Sequence, residues 1–132
     1  MFEEFNKIEK PELLNPLVLA YIGDAVYEVY VRVYIAKKGE IKTNTLHKAS
    51  ISFVSAHAQS DILEEIEDSL TEEELNIVRR GRNAHSNTIP KNASIADYKK
   101  ATAFEALIGY LFLKNDIKRL EEIIKITLEK NS

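Results

Sequence analysis

The sequence predicts an all-α protein of about six to seven helices. Two long apolar segments carry this prediction: residues 15–39 (NPLVLAYIGDAVYEVYVRVYIAKKG) and residues 95–114 (IADYKKATAFEALIGYLFLK). No segment alternates apolar and polar residues as a half-buried strand does, and no internal repeat is present. The 132 residues, 45% hydrophobic and 30% charged, suffice for one domain, residues 1–132, around one core.

The first long segment is expected to be the central, buried helix of a bundle, after a short lead-in over residues 1–14. Asn15 suits the N-cap, and Pro16 stands at the first helical position, where its missing N–H costs nothing. Gly39 follows two lysines, a composition that favours a helix C-terminus. Between these ends the segment is apolar on most of its faces.

A linker is expected at residues 40–45, followed by two helices within residues 46–69. Helical spacing of apolar residues begins at Leu46 and continues to Ser55. Ser55 can in turn cap a second helix, residues 56–69, whose apolar side includes Ile62 and Ile66.

A capping box marks the start of the next helix, because Thr71 is followed three residues later by Glu74. This helix is expected to end near Gly81. The polar segment that follows, residues 83–93, is predicted to be a loop, and a loop of this length in a compact domain is more often functional than a short connector.

Ser94 is the expected N-cap of the second long helix, residues 95–114. Asn115 and Asp116 interrupt the apolar pattern and cap a final amphipathic helix, residues 117–130. The chain is thus divided by capping residues into helices along its whole length.

Several classes of protein are excluded by composition. The absence of cysteine rules out a disulfide framework and a cysteine-based zinc site, and the three histidines show no metal-ligand spacing. The N-terminal stretch MFEEFNKIEK does not have the pattern of a signal peptide. The first long helix carries charges in its middle, which argues against a membrane span. We therefore expect a cytoplasmic protein.

Charge is segregated along the chain, although the net charge is only −3. Residues 61–74 carry eight acids and no Lys or Arg, whereas residues 79–96 carry no acid. The bases of this second stretch are Arg79, Arg80, Arg82 and Lys91. A local basic surface matters more to a nucleic-acid backbone than the total charge does. The alternative for these bases is a solvated helix end and loop.

Each long apolar helix carries an acid within a patch of small residues. Asp24 lies between Gly23 and Ala25, and Glu105 lies near Gly109. Small residues allow helices to cross closely, and if the two patches meet, the carboxylates need a proton or a cation between them. An all-oxygen site of this kind suits Mg²⁺ or Mn²⁺.

A structural interpretation competes with this one. Asp24, Glu28 and Arg32 follow one another at spacings of four, which is typical of a solvated stripe with a Glu28–Arg32 ion pair. Asp24 and Glu105 would then be two unrelated surface acids. The roles of Glu28 and His57 stay open.

Two motifs resemble those of the ribonuclease III catalytic domain. YIGDAV, residues 21–26, looks like the signature stretch, in which an aromatic residue, an aliphatic residue, Gly and the metal-binding Asp occur in that order. FEALIG, residues 104–109, is similar to the second acidic motif. The resemblance covers roughly residues 12–128. The RGRNA and PKN stretches, and a chain end where a double-stranded-RNA-binding domain would begin, resemble the short form of the family, mini-ribonuclease III.

The resemblance implies an all-α homodimer that cleaves double-stranded RNA with Mg²⁺, for which Mn²⁺ can substitute, and leaves 5′-phosphate and 3′-hydroxyl ends. It further implies a role in maturation of the large-subunit ribosomal RNA precursor, with a ribosomal-protein helper as a further partner. Asp24 and Glu105 are the implied catalytic residues and metal ligands.

Further residues are assigned on the same resemblance. The expected RNA-binding residues are Arg79, Arg80, Arg82, Lys91 and His47. Among the arginines, we favour RNA contact more for Arg80 and Arg82 than for Arg79, and a surface histidine is the alternative for His47. Tyr21 is the expected contact between subunits, with ordinary core packing as its alternative.

The sequence departs from the family pattern at two positions. Full-length members carry an acid four residues before the signature Asp and another three before the second-motif Glu, where this chain has Ala20 and Thr102. We therefore expect one protein-held metal per subunit, completed by water and RNA phosphate, rather than a two-metal site. The missing acids motivate one alternative, a non-catalytic RNA- or ribosome-binding module on the same fold. A plain helical dimerisation domain is a third option.

Overall fold

The structure is a computed structural model that describes residues 8–39, 41–84 and 94–130. Within these ranges it contains α-helices, two short 3₁₀ turns and no strand, which confirms the all-α prediction. The turns span Pro11–Leu13 and Glu67–Ser69. The helices are α1 (Pro16–Ala36), α2 (Thr43–Val54), α3 (Ala56–Ile66), α4 (Glu72–Asn83), α5 (Ile95–Leu113) and α6 (Ile117–Lys130).

The predicted capping residues begin five of these helices, including α6, where Asp116 Oδ1 accepts a hydrogen bond from Arg119 N at 3.3 Å. The side chains of Asn15, Ser55 and Ser94 each accept a hydrogen bond from a backbone N–H in the first turn of the helix that follows. The capping box is complete, because Glu74 N donates to Thr71 Oγ1 at 3.1 Å and Thr71 N donates to Glu74 Oε1 at 3.0 Å. Local side-chain chemistry therefore sets these helix starts.

The central helix of the bundle is α5, and the expectation that α1 would occupy the centre is wrong. Most residues from Ala101 to Leu113 are buried, and α5 contacts α1, α3, α4 and α6. By contrast, α1 buries one side against α5 and leaves large apolar side chains of its other side in solvent, among them Val29 and Val33. An apolar sequence on most faces of α1 thus did not indicate burial on most faces.

Two predicted helix boundaries also differ from the structure. Helix α2 begins at Thr43 rather than Leu46, so the residues expected to cap it form its first turn. Helix α4 continues through Gly81 to Asn83. A Cβ on Gly81 would lie 2.8 Å from the Ala103 Cα, so this glycine permits α4 to pack closely on α5 and does not end the helix. The predicted loop lies outside the described residues from residue 85 to residue 93, which includes Lys91.

Helices α1 and α5 cross with their backbones in contact. A Cβ on Gly23 would lie 1.7 Å from the Glu105 carbonyl oxygen, and a Cβ on Gly109 would lie 2.0 Å from the Leu19 carbonyl oxygen. The crossing continues into the core, where the Tyr27 and Phe104 rings meet edge to face at 5.1 Å. The two glycines therefore allow the short distance between α1 and α5 at the point where the helices cross.

The acidic stretch of residues 61–74 forms ion pairs between helices. Glu74 is buried and accepts two hydrogen bonds from Arg119 of α6, both at 2.9 Å. Burial by itself would raise the pKa of Glu74, but its hydrogen bonds with Arg119 and Thr71 outweigh burial and lower the pKa. The other pairs are Glu64–Lys100, Glu65–Lys130, Glu67–Arg82 and Glu73–Lys114. The acids thus connect α3 and α4 to the rest of the bundle.

Within the described residues, none of the helices combines the length and the apolar character that crossing a membrane requires.

Substituting Gly109 with Ala tests the crossing. The added methyl group would overlap the Leu19 carbonyl oxygen of α1, and backbone atoms cannot rotate away as a side chain can. We expect Gly109→Ala to lower the free energy of unfolding by about 3 kcal/mol or more, at the upper end of overpacking effects, as measured by urea denaturation. Gly39→Ala is the matched control, because Gly39 has φ +86° but no atom near its added Cβ, and it should cost only about 1–2 kcal/mol. Equal losses in the two variants would contradict this account of the crossing.

Candidate active site

The glycine crossing brings the two predicted acids together. Gly23 lies against the backbone of Glu105, so Asp24, the next residue of α1, lies beside Glu105 on α5. The two carboxyl groups lie close enough for Asp24 to raise the pKa of Glu105. The interpretation of Asp24 and Glu105 as unrelated surface acids therefore does not hold for this geometry.

The two acids differ in burial. Asp24 is exposed, whereas the Glu105 side chain is largely covered by the surrounding helices. Burial raises the pKa of Glu105 from its usual 4.5 to about 9, and the hydrogen bond and negative charge of Asp24 act in the same direction. Glu105 therefore holds a proton at neutral pH when no cation is present, since two carboxylates in contact repel each other.

A third side chain, Gln59 of α3, lies at the same point and was missed by the sequence analysis. Gln59 is 1% exposed, and its amide group lowers the pKa of Glu105, against the effect of burial. Its Nε2 has no hydrogen-bond partner within geometric limits among the described residues. The available signal was its spacing, because Gln59 is a polar residue on the same helical stripe as Ile62, Leu63 and Ile66.

The Glu28–Arg32 pair forms as predicted, with 3.2 Å between Glu28 Oε2 and an Arg32 guanidinium nitrogen. Both residues line a cavity of about 360 Å³ between α1 and α2, which His47 also lines. Glu28 is one helical turn from Asp24, and its negative charge contributes to the raised pKa of Glu105. The cavity therefore adjoins the carboxylate pair, and His47 lies on its wall.

The carboxylate pair fits a divalent cation in its donor chemistry. It offers oxygen ligands only, and two neighbouring carboxylates are stabilised by a proton or a positive charge between them. The described part of the chain contains no group of three or more His, Cys, Asp or Glu side chains that could hold a metal. Ala20 and Thr102, at the positions of the two missing acids, are both buried. The protein ligands available to a cation here are thus Asp24 and Glu105.

The three described bases of the basic cluster make intramolecular contacts. Arg80 donates to the Glu12 carbonyl at 2.5 Å and to the Leu14 carbonyl at 2.7 Å. Arg82 pairs with Glu67 at 2.5 Å. Arg79 is exposed, with one hydrogen bond to Asn76 on its own helix. Tertiary partners that the sequence pattern did not reveal thus contact Arg80 and Arg82, and the preference for these two over Arg79 as RNA contacts stays a prediction.

Tyr21 is 81% exposed, which excludes core packing as its role. It belongs to an exposed apolar stripe along α1 that continues next to a groove of about 510 Å³, lined by residues of α1 together with Phe112 and Ile117. The other exposed members of this α1 stripe are Val18, Val29 and Val33.

His57 connects α3 to the first turn of α5. Its Nδ1 lies 3.2 Å from an Asp97 carboxylate oxygen, and its Nε2 lies 3.4 Å from an Asp61 carboxylate oxygen. The hydrogen bond with Asp97, followed by the negative charges of Asp61 and Asp97, raises the pKa of His57. Its contacts thus lie with these two acids, in an exposed ionic cluster.

Comparisons with known proteins agree with this arrangement. The profile of the family described as Ribonuclease III domain matches residues 17–116. Mini-ribonuclease 3 of Clostridium tetani (strain Massachusetts / E88) is 54% identical over 127 residues, which are 96% of this chain and 83% of that protein. Mini-ribonuclease 3 of Brevibacillus brevis is 54% identical over 115 residues, 87% of this chain and 86% of that protein.

A solved structure gives the same result for the fold. The crystal structure of protein FN1578 from Fusobacterium nucleatum superimposes with a TM-score of 0.83 and 33% sequence identity, over 91% of this chain and 96% of that one. The chain therefore belongs to the ribonuclease III family, a class of endoribonucleases. Within that family it is a member of the mini-ribonuclease III group, which confirms the resemblance seen in the sequence.

The raised pKa of Glu105 predicts how stability changes with pH in the presence of EDTA. Between about 4.5 and 9 the folded protein keeps a proton on Glu105 that the unfolded chain releases, so the free energy of unfolding falls as pH rises through this window. Glu105→Gln cannot lose this proton, so this part of the pH dependence is absent from the variant. The free energy of unfolding of the variant minus that of wild type should therefore increase with pH, by at most about 1.4 kcal/mol per pH unit. Urea denaturation at several pH values measures the difference. Glu72→Gln, on the exposed start of α4, is the control, and the same pH dependence in both variants would contradict a raised pKa at Glu105.

Proposed function

We propose that this chain is a divalent-metal-dependent endoribonuclease that cleaves double-stranded RNA, with Asp24 and Glu105 as catalytic metal ligands. The observation that carries the proposal is the glycine crossing, which places the exposed carboxyl group of Asp24 close to the covered carboxyl group of Glu105. Membership in the ribonuclease III family supports the same activity. Residues 1–132 would act as a single catalytic domain in the cytoplasm.

The chemistry of the site follows from its two acids. A bound Mg²⁺ or Mn²⁺ supplies a Lewis acid that lowers the pKa of water and offsets negative charge on the scissile phosphodiester. Asp24 is open to solvent and meets an incoming ligand, while Glu105 must release its proton before it can serve as an anionic ligand. With two protein ligands, the remaining coordination positions belong to water and RNA phosphate, which favours one protein-held ion per subunit.

RNA contact is proposed for the predicted basic residues. Arg79 is exposed, and His47 lies on the wall of the cavity next to Glu28. We propose phosphate contacts for these two residues and, on the family resemblance, for Lys91, Arg80 and Arg82, of which the last two also make intramolecular contacts. Contacts of this kind suit A-form RNA, which proteins recognise mainly through backbone and shape.

The finer assignments concern substrate and products. On the resemblance to mini-ribonuclease III, the substrate is the precursor of large-subunit ribosomal RNA, with a ribosomal protein as a helper. The products carry 5′-phosphate and 3′-hydroxyl ends, which end-labelling of the cut fragments would identify.

The chain is further proposed to act as a homodimer through the exposed apolar stripe of α1. Tyr21 and its apolar neighbours would otherwise leave a continuous apolar surface in water, and such surfaces mark interaction sites. A second copy is the partner that the family membership supports. Two subunits would carry two carboxylate sites, one for each strand of a duplex.

Cleavage of a long duplex RNA is the direct test of the enzyme. We expect wild-type protein to cut it with Mg²⁺ and not with EDTA, and Asp24→Asn and Glu105→Gln to lower the rate by about 100-fold or more, because each removes an anionic ligand of the metal. Glu72→Gln is the matched control and should cut at the wild-type rate. Product formation followed on denaturing gels gives the rates.

Two results would change the proposal. An Asp24→Asn protein that cleaves at the wild-type rate would refute the mechanism. Salt-sensitive binding of the duplex without metal-dependent cleavage would favour the non-catalytic RNA-binding module, and the absence of salt-sensitive binding would favour the dimerisation domain.

Substitution of Tyr21 tests the dimer. Tyr21→Asp places a carboxylate where the proposed interface is apolar, and burying that charge unpaired is unfavourable. We expect wild-type protein to sediment as a dimer at micromolar concentration and Tyr21→Asp to sediment as a folded monomer. Leu75→Asp, an exposed apolar position on α4, controls for the added charge and should remain dimeric. A wild-type monomer in this measurement would refute the dimer.

A further inference from the structure

The side-chain amide of Gln59 is one of the buried polar groups without a hydrogen-bond partner among the described residues. It is buried, and its Nε2 has no partner with hydrogen-bond geometry in the described part of the chain. A buried donor without an acceptor destabilises a protein by about 1–3 kcal/mol, so a helix that packs on the core should carry an apolar residue there instead. The neighbouring stripe positions Ile62 and Leu63 are apolar and fully buried.

The surroundings of Gln59 indicate what the amide is for. Gln59 is buried on α3, which packs on α5, and its side chain lies close enough to Glu105 to lower the pKa of that carboxyl group. An amide nitrogen can only donate hydrogen bonds, and an ionised carboxylate can only accept them. The two groups are therefore complementary when Glu105 is ionised, and a protonated carboxyl group is the weaker acceptor.

We propose that Gln59 is a positioning residue of the candidate metal site, whose amide N–H holds one oxygen of the Glu105 carboxylate and leaves the other oxygen for the cation. The inference rests on the proposed function, because it assumes that Asp24 and Glu105 bind the cation. Side chains that hold a metal ligand in this way commonly change metal affinity by about 10- to 100-fold when they are replaced.

Gln59→Met is the informative variant, because methionine keeps the length of the side chain and fills the same space without an amide. We expect it to be folded and at least as stable to heat as wild type, since it removes a buried donor without an acceptor. We also expect it to bind Mn²⁺ about tenfold more weakly or worse in the absence of RNA, measured by titration with electron paramagnetic resonance of free Mn²⁺. A loss of affinity without a loss of stability is not expected from a residue that only fills the core.

Three further variants complete the experiment. Gln59→Leu also removes the amide but replaces it with a branched apolar side chain. Ser60→Ala is the matched control, because Ser60 is equally buried on α3 but contacts Asp97 rather than Glu105, and it should bind Mn²⁺ as wild type does. Asp24→Asn reports on the site itself and should lose Mn²⁺ binding.

The outcomes separate the two proposals. Loss of Mn²⁺ binding in Asp24→Asn with unchanged binding in both Gln59 variants would overturn the inference about Gln59 and leave the metal site intact. Wild-type binding in Asp24→Asn would overturn the proposed site and, with it, the role of Gln59. An equal loss of affinity in Ser60→Ala, or failure of both Gln59 variants to fold, would assign Gln59 to the core and overturn the inference.

Discussion

The architecture depends on the backbone contact between α1 and α5 at Gly23 and Gly109. Neither position has room for a methyl group, because the carbonyl oxygen of the opposing helix occupies the space. The contact determines how deeply α1 lies against the central helix, and Asp24 reaches Glu105 only because the helices are this close. The same small-residue contact that forms the core therefore also builds the candidate active site, which explains why an acid follows a glycine at the crossing.

The parts of the fold that depend on a few neighbouring residues could be predicted from the sequence. The caps at Asn15 and Ser55 and the box at Thr71 are complete within three residues, so the pattern contains the whole interaction. Which helix lies at the centre of the bundle, and which apolar residues are buried, could not be predicted in this way. An apolar residue such as Val29 has the same sequence signal whether it faces the core or an exposed stripe, and Gly81 looks like a helix end although it serves helix packing.

The candidate site shows the same division. Asp24 and Glu105 were accessible to sequence reasoning because an acid among small residues in an apolar helix is unusual within its own segment. The tertiary contacts of Arg80 and Gln59 could not be predicted, because their surroundings come from distant parts of the chain. The carbonyl groups that bind Arg80 belong to Leu14 and Glu12, which lie 66 and 68 positions earlier in the chain. Gln59 and Glu105 lie on two different helices, α3 and α5. Tertiary partners of polar side chains are the information that local patterns lack.

The unequal burial of the two acids has a thermodynamic consequence. Glu105 keeps its proton at neutral pH, so a cation that binds between the acids must displace it, and binding and proton release form a single equilibrium. The heat of binding then contains the heat of protonation of the buffer and differs between buffers with different ionisation enthalpies. The number of protons released, obtained from that difference, would approach one for each ion bound near neutral pH and would fall to zero at alkaline pH, where the pair is already ionised.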